Sequence, residues 1–539
     1  MNKYLRRHSI WALPCIGLLV FACNVGDINF ENIEDPTLKP EVVAPIGEVT
    51  YTINELIEEI NDQNIIVKEG KNLLVSILYR DTSRYQTPDE MIKINDISQQ
   101  KVVEPGITVI ATPVERSEPF SETFSLEYPA ENEEGIDSIL YSGGNIEVVI
   151  NSQIQADVDL EIKLVDFVHS TTRDTIVFNS SLPYTGTLPV SDTQSSPLAE
   201  HRSKFNRIDP QNFFSVVVTG TINLKPGQSV DNTDIIVITV NTHNTTFSSV
   251  IGYFGEDEIV VQDQVIDIGF FTDIEPLGLE FEGPEIIVNV ANSFGLPLGL
   301  SVAGLTSSNE NGDFRMLTGD ITAAPSKLRA PTLSQFGKTL NSSVVISNEN
   351  SNLRELLSIS PNKLTVPITA TTNYENVNED RNFYRDDSEV VTMVEVNMPF
   401  SVKLDGFSQT FNFNIDPVDF DEADSLKLRV KTVNDLPFNG SMSMFLLNED
   451  SVVIHELPEQ IILESPEVGS DGRSVETKTS VNDILLNSDG VKAIPDTRKI
   501  AIVLKVDSFE AQDDRFVQIF SDYALVIKLG IIANLNVTP

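Results

Sequence analysis

The feature that most constrains this chain is strict two-residue alternation of apolar and polar side chains. Val158, Leu160, Ile162 and Leu164 alternate with Asp157, Asp159, Glu161 and Lys163. Phe411, Phe413 and Ile415 alternate with Asn412, Asn414 and Asp416, and Leu426, Leu428 and Val430 alternate with Lys427, Arg429 and Lys431. Successive side chains of a strand point to opposite faces, so each segment predicts a strand with one face to bury and one to wet. A slip of one residue would turn the apolar face to water, so the pattern also fixes register. Ile235 to Val240 and Leu525 to Ala533 are more continuously apolar and predict strands lying between two layers.

Helix signals are few. Thr52-Ile53-Asn54-Glu55 forms a capping box ahead of Leu56, Ile57 and Ile60, which predicts one short amphipathic helix. A second is predicted by Asn352 as cap, with Leu353, Glu355, Leu356 and Leu357 before a stop at Pro361. Ile65 to Lys68 and Leu73 to Tyr79 predict a hairpin around Glu69-Gly70-Lys71-Asn72. The expected class is therefore mainly all-β: tandem β-sandwich-like modules with one or two short helices.

Three places share a pattern in which an apolar strand ends in asparagine and a second strand soon follows. Ile146 to Ile150 leads to Asn151 and Ile154; Ile286 to Val290 leads to Asn292 and Leu296-Pro297; Leu426 to Val433 leads to Asn434 and Leu436-Pro437. The asparagines lie 141 and 142 residues apart, a domain length. Asparagine can bond its own backbone at a corner, and proline ends a ladder, so the pattern is read as structural. It resembles the Asn-Pro corner of late-embryogenesis and hypersensitive-response β-sandwich domains, which implies a sandwich fold for each copy. The expected organisation is a leader at 1–22, a tether at 23–45, an N-terminal β-rich domain with a short helix at 46–130, and modules at 131–271, 272–413 and 414–539.

The first 22 residues carry Lys3, Arg6 and Arg7 ahead of an apolar run from Ile10 to Ala22, too short for a permanent membrane span and right for a removable export signal. The run closes in Val20-Phe21-Ala22-Cys23. This ending resembles the lipobox of bacterial lipoprotein precursors, which implies lipidation of Cys23 and a membrane anchor at the new N-terminus. Phe21 stands where that pattern usually has a smaller residue. Asn24 is not the aspartate that retains lipoproteins at the inner membrane of enterobacteria, so outer-membrane residence is expected. Cys15 is the only other cysteine and lies in the leader, so no internal disulfide is expected in the mature chain. Asp27, Glu31, Glu34, Asp35 and Glu41, interspersed with Pro36, Pro40 and Pro45, predict an extended acidic spacer. Leader, spacer, β-rich body and acidity together are similar to the large β-rich outer-membrane lipoproteins of Bacteroidota, whose surface-export signals are also acidic.

A net charge of −43 repels phosphate backbones and makes nucleic acid an improper partner. The sole tryptophan, Trp11, lies in the leader, which argues against a sugar-stacking platform. Asp416, Asp419, Asp421 and Asp424 crowd one segment and, as hard oxygen ligands, are candidates for Ca²⁺; Glu131, Glu133, Glu134 and Asp137 form a comparable cluster. Neither has the spacing of a calcium loop. His169, His201, His243 and His455 stand far apart, with no His-x-x-x-His or Cys-x-x-Cys spacing. Gly299-Leu-Ser301-Val-Ala-Gly304 has its second glycine one place late for a nucleophile elbow and is read as a strand. Asp137-Ser-Ile, Asp174-Thr-Ile, Asp424-Ser-Leu and Asp450-Ser-Val resemble O-glycosylation acceptors of Bacteroidota.

No catalytic or cofactor-binding residue is expected. The function read from the sequence is a non-catalytic outer-membrane lipoprotein, held to the membrane by lipid and binding or scaffolding another envelope protein. The alternative is a surface lipoprotein that binds or degrades glycans for nutrient uptake.

Overall fold

A computed structural model describes residues 41–53, 65–69, 73–85, 95–111, 113–129, 135–208, 211–268, 278–377, 379–414 and 423–535. Strand dominates. The chain opens with β1 (Glu41–Thr52), β2 (Ile65–Glu69), β3 (Val75–Tyr85) and β4 (Ser98–Val103). Next come β5 (Arg116–Tyr128), β6 (Gly135–Ser152), β7 (Asp157–His169), β8 (Thr175–Leu182) and β9 (Val190–Pro197). They are followed by β10 (His201–Lys204), β11 (Asn206–Ile208), β12 (Gln211–Leu224) and β13 (Ile236–Tyr253), which with β5–β9 make module I. Module II holds β14 (Glu258–Asp267), β15 (Leu279–Phe281), β16 (Glu285–Asn292), β17 (Leu298–Ser301), β18 (Thr306–Ser308) and β19 (Phe314–Met316). It continues with β20 (Ser326–Leu328), β21 (Leu340–Ser347), helix α1 (Leu353–Leu357), β22 (Lys363–Thr372), β23 (Asn382–Arg385) and β24 (Val390–Pro399). After β25 (Ser401–Leu404), module III comprises β26 (Phe407–Asn414), β27 (Ala423–Asn434), β28 (Phe438–Leu447), β29 (Val453–Leu463) and β30 (Lys478–Leu486). Helix α2 (Ser488–Ala493), β31 (Lys499–Ser508), β32 (Val517–Gln518) and β33 (Ala524–Leu535) complete it.

One pairing order occurs three times, antiparallel throughout. In module I one row runs β9-β6-β13-β4 and the other β8-β7-β12-β5. In module II the rows are β21-β16-β24-β3, with β2 added outside β3, and β20-β17-β22-β14. In module III they are β30-β27-β33-β1 and β29-β28-β31-β26. Each module thus has two four-stranded rows linked at a corner; in module I the short β10 pairs with both β6 and β7 and joins the rows into one 11-stranded sheet.

Two corrections to the expected boundaries follow. Each module starts one strand earlier than expected, because β5, β14 and β26 complete the second row of the module that follows them. Residues 46–130 do not form a domain of their own: β1 joins module III, β3 joins module II and β4 joins module I. The N-terminal segment runs the length of the array in reverse order and gives each sandwich an edge strand. The last five residues of the expected spacer, Glu41 to Pro45, belong to β1 and pair with Gly530 to Asn534.

The corners are built as hydrogen-bond hubs. Asn292 Oδ1 accepts the Phe294 N–H at 2.9 Å, and its Nδ2 donates to the carbonyls of Leu296 (3.2 Å) and Arg329 (3.3 Å). Asn434 repeats this at Leu436 N–H (2.9 Å), Phe438 (3.3 Å) and Glu464 (3.0 Å). Arg329 directly follows β20 and Glu464 directly follows β29, so the third bond reaches the same topological point in both modules. Both asparagines are buried, and neither needs a positive φ. In module I the role shifts by one residue: buried Ser152 Oγ accepts the Ile154 N–H at 3.2 Å, while Asn151 stays in the ladder and accepts from Ser191 Oγ at 2.6 Å.

The alternation at 157–164 is realised in β7, where Val158, Leu160, Ile162 and Leu164 are at most 4% exposed. They meet Ile146, Val148 and Ile150 from β6 and Ile236, Ile238 and Val240 from β13 in one continuous core. Burial of each such side chain contributes about 1.5–3 kcal/mol. Phe167 closes the end of this core edge-on to Phe214, ring centroids 5.3 Å apart. The hairpin forms as predicted, Ile65 opposite Tyr79 and Glu69 opposite Val75. Of the first predicted helix only Ile53 lies within the described residues. The second forms as α1, but Asn352 Oδ1 accepts from Thr318 N–H at 2.8 Å rather than capping, and the helix ends at Leu357, ahead of Pro361. Helix α2 was not anticipated; Asn487 caps it, accepting from Gly490 N–H at 3.0 Å. Leu525 to Ala533 is not sandwiched between layers, since β33 keeps Lys528 exposed on its outer face.

Neighbouring modules share strands and rings. β23 pairs with the end of β13, and Tyr384 wedges between Phe254 (4.8 Å) and Phe294 (5.3 Å). Gly295 makes room here: a Cβ would sit 2.1 Å from the Phe383 ring. Between modules II and III, β25 pairs with both β15 and β32, and Lys403 Nζ bridges Glu280 (2.9 Å) and Asp514 (2.5 Å). The hydrogen bonds that the Lys403 ammonium donates to Asp514 and Glu280 raise its pKa and keep the bridge charged.

Candidate interaction surface

The residues singled out from the sequence are scattered by the fold. Cys23, the leader and residues 24–40 lie outside the described residues, as do Asp416, Asp419, Asp421, Glu131, Glu133 and Glu134. Asp424 falls at an irregularity between Ala423 and Ser425 at the start of β27. Among the described residues no group of three or more His, Cys, Asp or Glu is placed to hold a metal ion. Asp137 pairs with Arg381 at 2.8 Å across the junction of modules I and II. Burial pushes its carboxyl pKa up, and Arg381 and Arg207 offset part of that rise.

The fold does unite two histidines that sequence distance had separated. His169 on β7 faces His201 on β10, rings edge-to-face with centroids 5.1 Å apart. His169 Nδ1 accepts the N–H groups of Thr171 (3.2 Å) and Thr172 (3.3 Å), and His201 Nδ1 lies 3.2 Å from the Ala199 carbonyl. These bonds close turns, so the pair is spent on local structure. Of the segment read as a strand, Gly299 to Ser301 lie in β17, while Ala303 and Gly304 form a turn with Gly304 at φ 95°.

The surface with a distinct chemistry is the outer face of the β30-β27-β33-β1 sheet. Lys427, Arg429 and Lys431 project from alternate positions of β27, and register sets Lys528 of β33 directly opposite Lys431. Four cations on one face are notable in a chain of net charge −43. Arg429 holds Asp483 on β30 through two 2.7 Å hydrogen bonds, which draws the Asp483 pKa below its ordinary value. Lys528 pairs with Glu48 at 3.0 Å. Lys427 and Lys431 enter no ion pair among the described residues. Beside them stand exposed aliphatics, Val43 at 65% and Leu485 and Val481 at 54% each.

The two edges of this sheet differ. β1 is exposed along almost its whole length and carries Pro45 and an irregularity between Pro45 and Gly47, features that blunt an edge. β30 presents nine residues without a proline and pairs only with β27 among the described strands. The period-2 cations of β27 were visible in the sequence, but their completion by Lys528 and Glu48 depends on long-range register.

No protein-family model matches the chain, and no curated protein matches it. Among solved structures, the chain has a likeness to a candidate secreted protein of Parabacteroides distasonis at 13% identity and TM-score 0.29, over 54% of this chain and 90% of that one. It also matches a structure of Sulfolobus Turreted Icosahedral Virus (8% identity, TM-score 0.13, 84% and 96% covered) and the VP2 subviral particle of infectious bursal disease virus (10%, 0.14, 88% and 85%).

Proposed function

We propose that this protein is an outer-membrane lipoprotein, anchored through Cys23, whose three tandem β-sandwiches form a non-catalytic scaffold for another envelope protein. The observation that carries this reading is the path of residues 41–103, which pair in turn with modules III, II and I. One segment braces all three sandwiches, and its start lies on module III, whose outer strand β30 pairs with β27 alone among the described strands. An anchor at Cys23 therefore brings module III closest to the membrane and holds the β30 edge at high local concentration there, so that modest contacts suffice. The docking mode is β-augmentation: the β30 edge offers unpaired backbone groups, and the adjoining Lys427 and Lys431 select a strand with acidic side chains.

Metabolic labelling with palmitate, followed by fractionation, tests the anchor. The intact chain is expected to take up label and sediment with outer membranes, and Cys23→Ser to lose both. A photocrosslinking residue at Val481 tests the docking edge: one discrete adduct is expected, absent from Ser480→Pro. Label uptake by Cys23→Ser would remove the anchor, and an adduct indifferent to Ser480→Pro would remove the edge.

A further inference from the structure

The two sheets of module III close on each other only in part. Its own buried centre consists of Val430, Leu457 and Ile484, while Leu428, Met442, Met444, Leu486, Ile527 and Leu529 pack against it only partly buried. Between the sheets lies a cavity of about 290 Å³, lined chiefly by Leu426, Leu428, Met444, Leu446, Ile484 and Ile500. Among the described residues Thr497 is the one neutral polar side chain in the wall, and its hydroxyl is already donated to the Ala493 carbonyl at 2.8 Å. Nothing inside can hold water by hydrogen bonds, and a dry aliphatic cavity of only about 150 Å³ is enough to take an apolar guest.

We infer that this cavity binds a fatty acyl chain. Among the described residues the wall is built chiefly of leucine, isoleucine and methionine, which suits a slender flexible chain over a flat heterocycle. Methionine adds an adaptable, polarisable surface. Leu428 and Leu486 are in part open to solvent, which leaves an entrance. Lys427 also borders the cavity, but it alternates with Leu426 and Leu428 and its charge acts on Asp483 on the outer face of the sheet, so recognition rests on the acyl chain. The head group sets whether the natural guest is a free fatty acid or a phospholipid; the acyl recognition is common to both. The inference goes beyond the scaffold reading and does not depend on lipidation of Cys23.

The test uses the chain from Asn24 to Pro539, which lacks Cys23, purified without detergent. Titration with the fluorescent fatty acid cis-parinaric acid is expected to saturate at one equivalent. Met444→Phe with Leu428→Phe fills the cavity and is expected to weaken binding at least tenfold. Mass spectrometry of an organic extract distinguishes the sources: fatty acid ions or intact phospholipid ions. Absence of saturable binding by the folded parent chain overturns the inference, as does undiminished binding by a folded Met444→Phe, Leu428→Phe chain. Palmitate labelling of Cys23 is a separate readout, so failure of one reading leaves the other intact.

Discussion

Modules I and III have the same strand pairing and opposite interiors. In module I the alternate residues of β6, β7, β12 and β13 interdigitate into a core from which water is excluded, with Phe167, Phe205 and Phe214 filling its end. In module III the equivalent positions carry Leu428, Met442, Met444 and Leu529, which are only partly buried and leave a cavity between the sheets. Ladder hydrogen bonds and a corner suffice to set the topology, while the volume of the side chains decides whether the two sheets meet. A closed sandwich is a rigid spacer; an open one retains room for a guest.

The largest effect that separates the two modules is a core truncation. Ile162→Ala leaves a void in a packed interior and is expected to cost about 2–5 kcal/mol, whereas Leu428→Ala, at a wall already open, costs less than about 2 kcal/mol. Hydrogen exchange read separately on β7 and β27 checks this, and equal losses would mean that module III is as tightly packed as module I.

The corners come next. Asn292→Ala and Asn434→Ala each strand buried backbone groups and are expected to cost about 3 kcal/mol, against about 1 kcal/mol for Ser152→Ala, which removes a single bond. Denaturant unfolding of the three variants ranks them; a Ser152 variant as damaged as the other two would show that the first corner carries more than its single bond.

Overpacking reverses the sign between modules. Val148→Phe forces a ring into a filled core at a cost of about 1–3 kcal/mol, while Met444→Phe enters existing space and is expected to leave the melting temperature unchanged or raised. Calorimetry of the two variants makes the comparison directly.

The smallest effect is electrostatic. The hydrogen bonds from Arg429 depress the Asp483 pKa, so its contribution is present above the ordinary value of 3.8 and is lost as pH falls through the lower folded value. Asp483→Asn is expected to be slightly less stable than the parent at pH 7, with the gap closing below pH 3.8; the pair is exposed and screened, so the shift is slight. A gap that widened in acid would contradict the pairing.

Much of the strand content was legible because it is a local property. Val158 to Leu164 alternate in sequence and in burial, and Ile65 to Tyr79 predict a hairpin from turn residues alone. The corner asparagines at 292 and 434 were legible for the same reason, since two of their three bonds are made within four residues. Asn151 was read one position off, because Ser152 can make the same short bond and no local signal tells which of the two turns the chain. Asn487 escaped notice because α2 is short and lies among strands. Leu525 to Ala533 was misjudged because an apolar run records what a strand can bury, not how many layers are present to cover it.

The sequence by itself determined the class of the molecule, the register-setting faces of its strands, its acidity and its resemblance at Cys23 to a lipidation site, all of which are written in residues a few positions apart. Only the tertiary structure decided which module each N-terminal strand completes, where His169 meets His201, where Lys528 joins the cations of β27, and that one interior closes while another stays open. Those outcomes depend on pairings across tens to hundreds of residues and on the summed volume of facing side chains, quantities that no single stretch of chain contains.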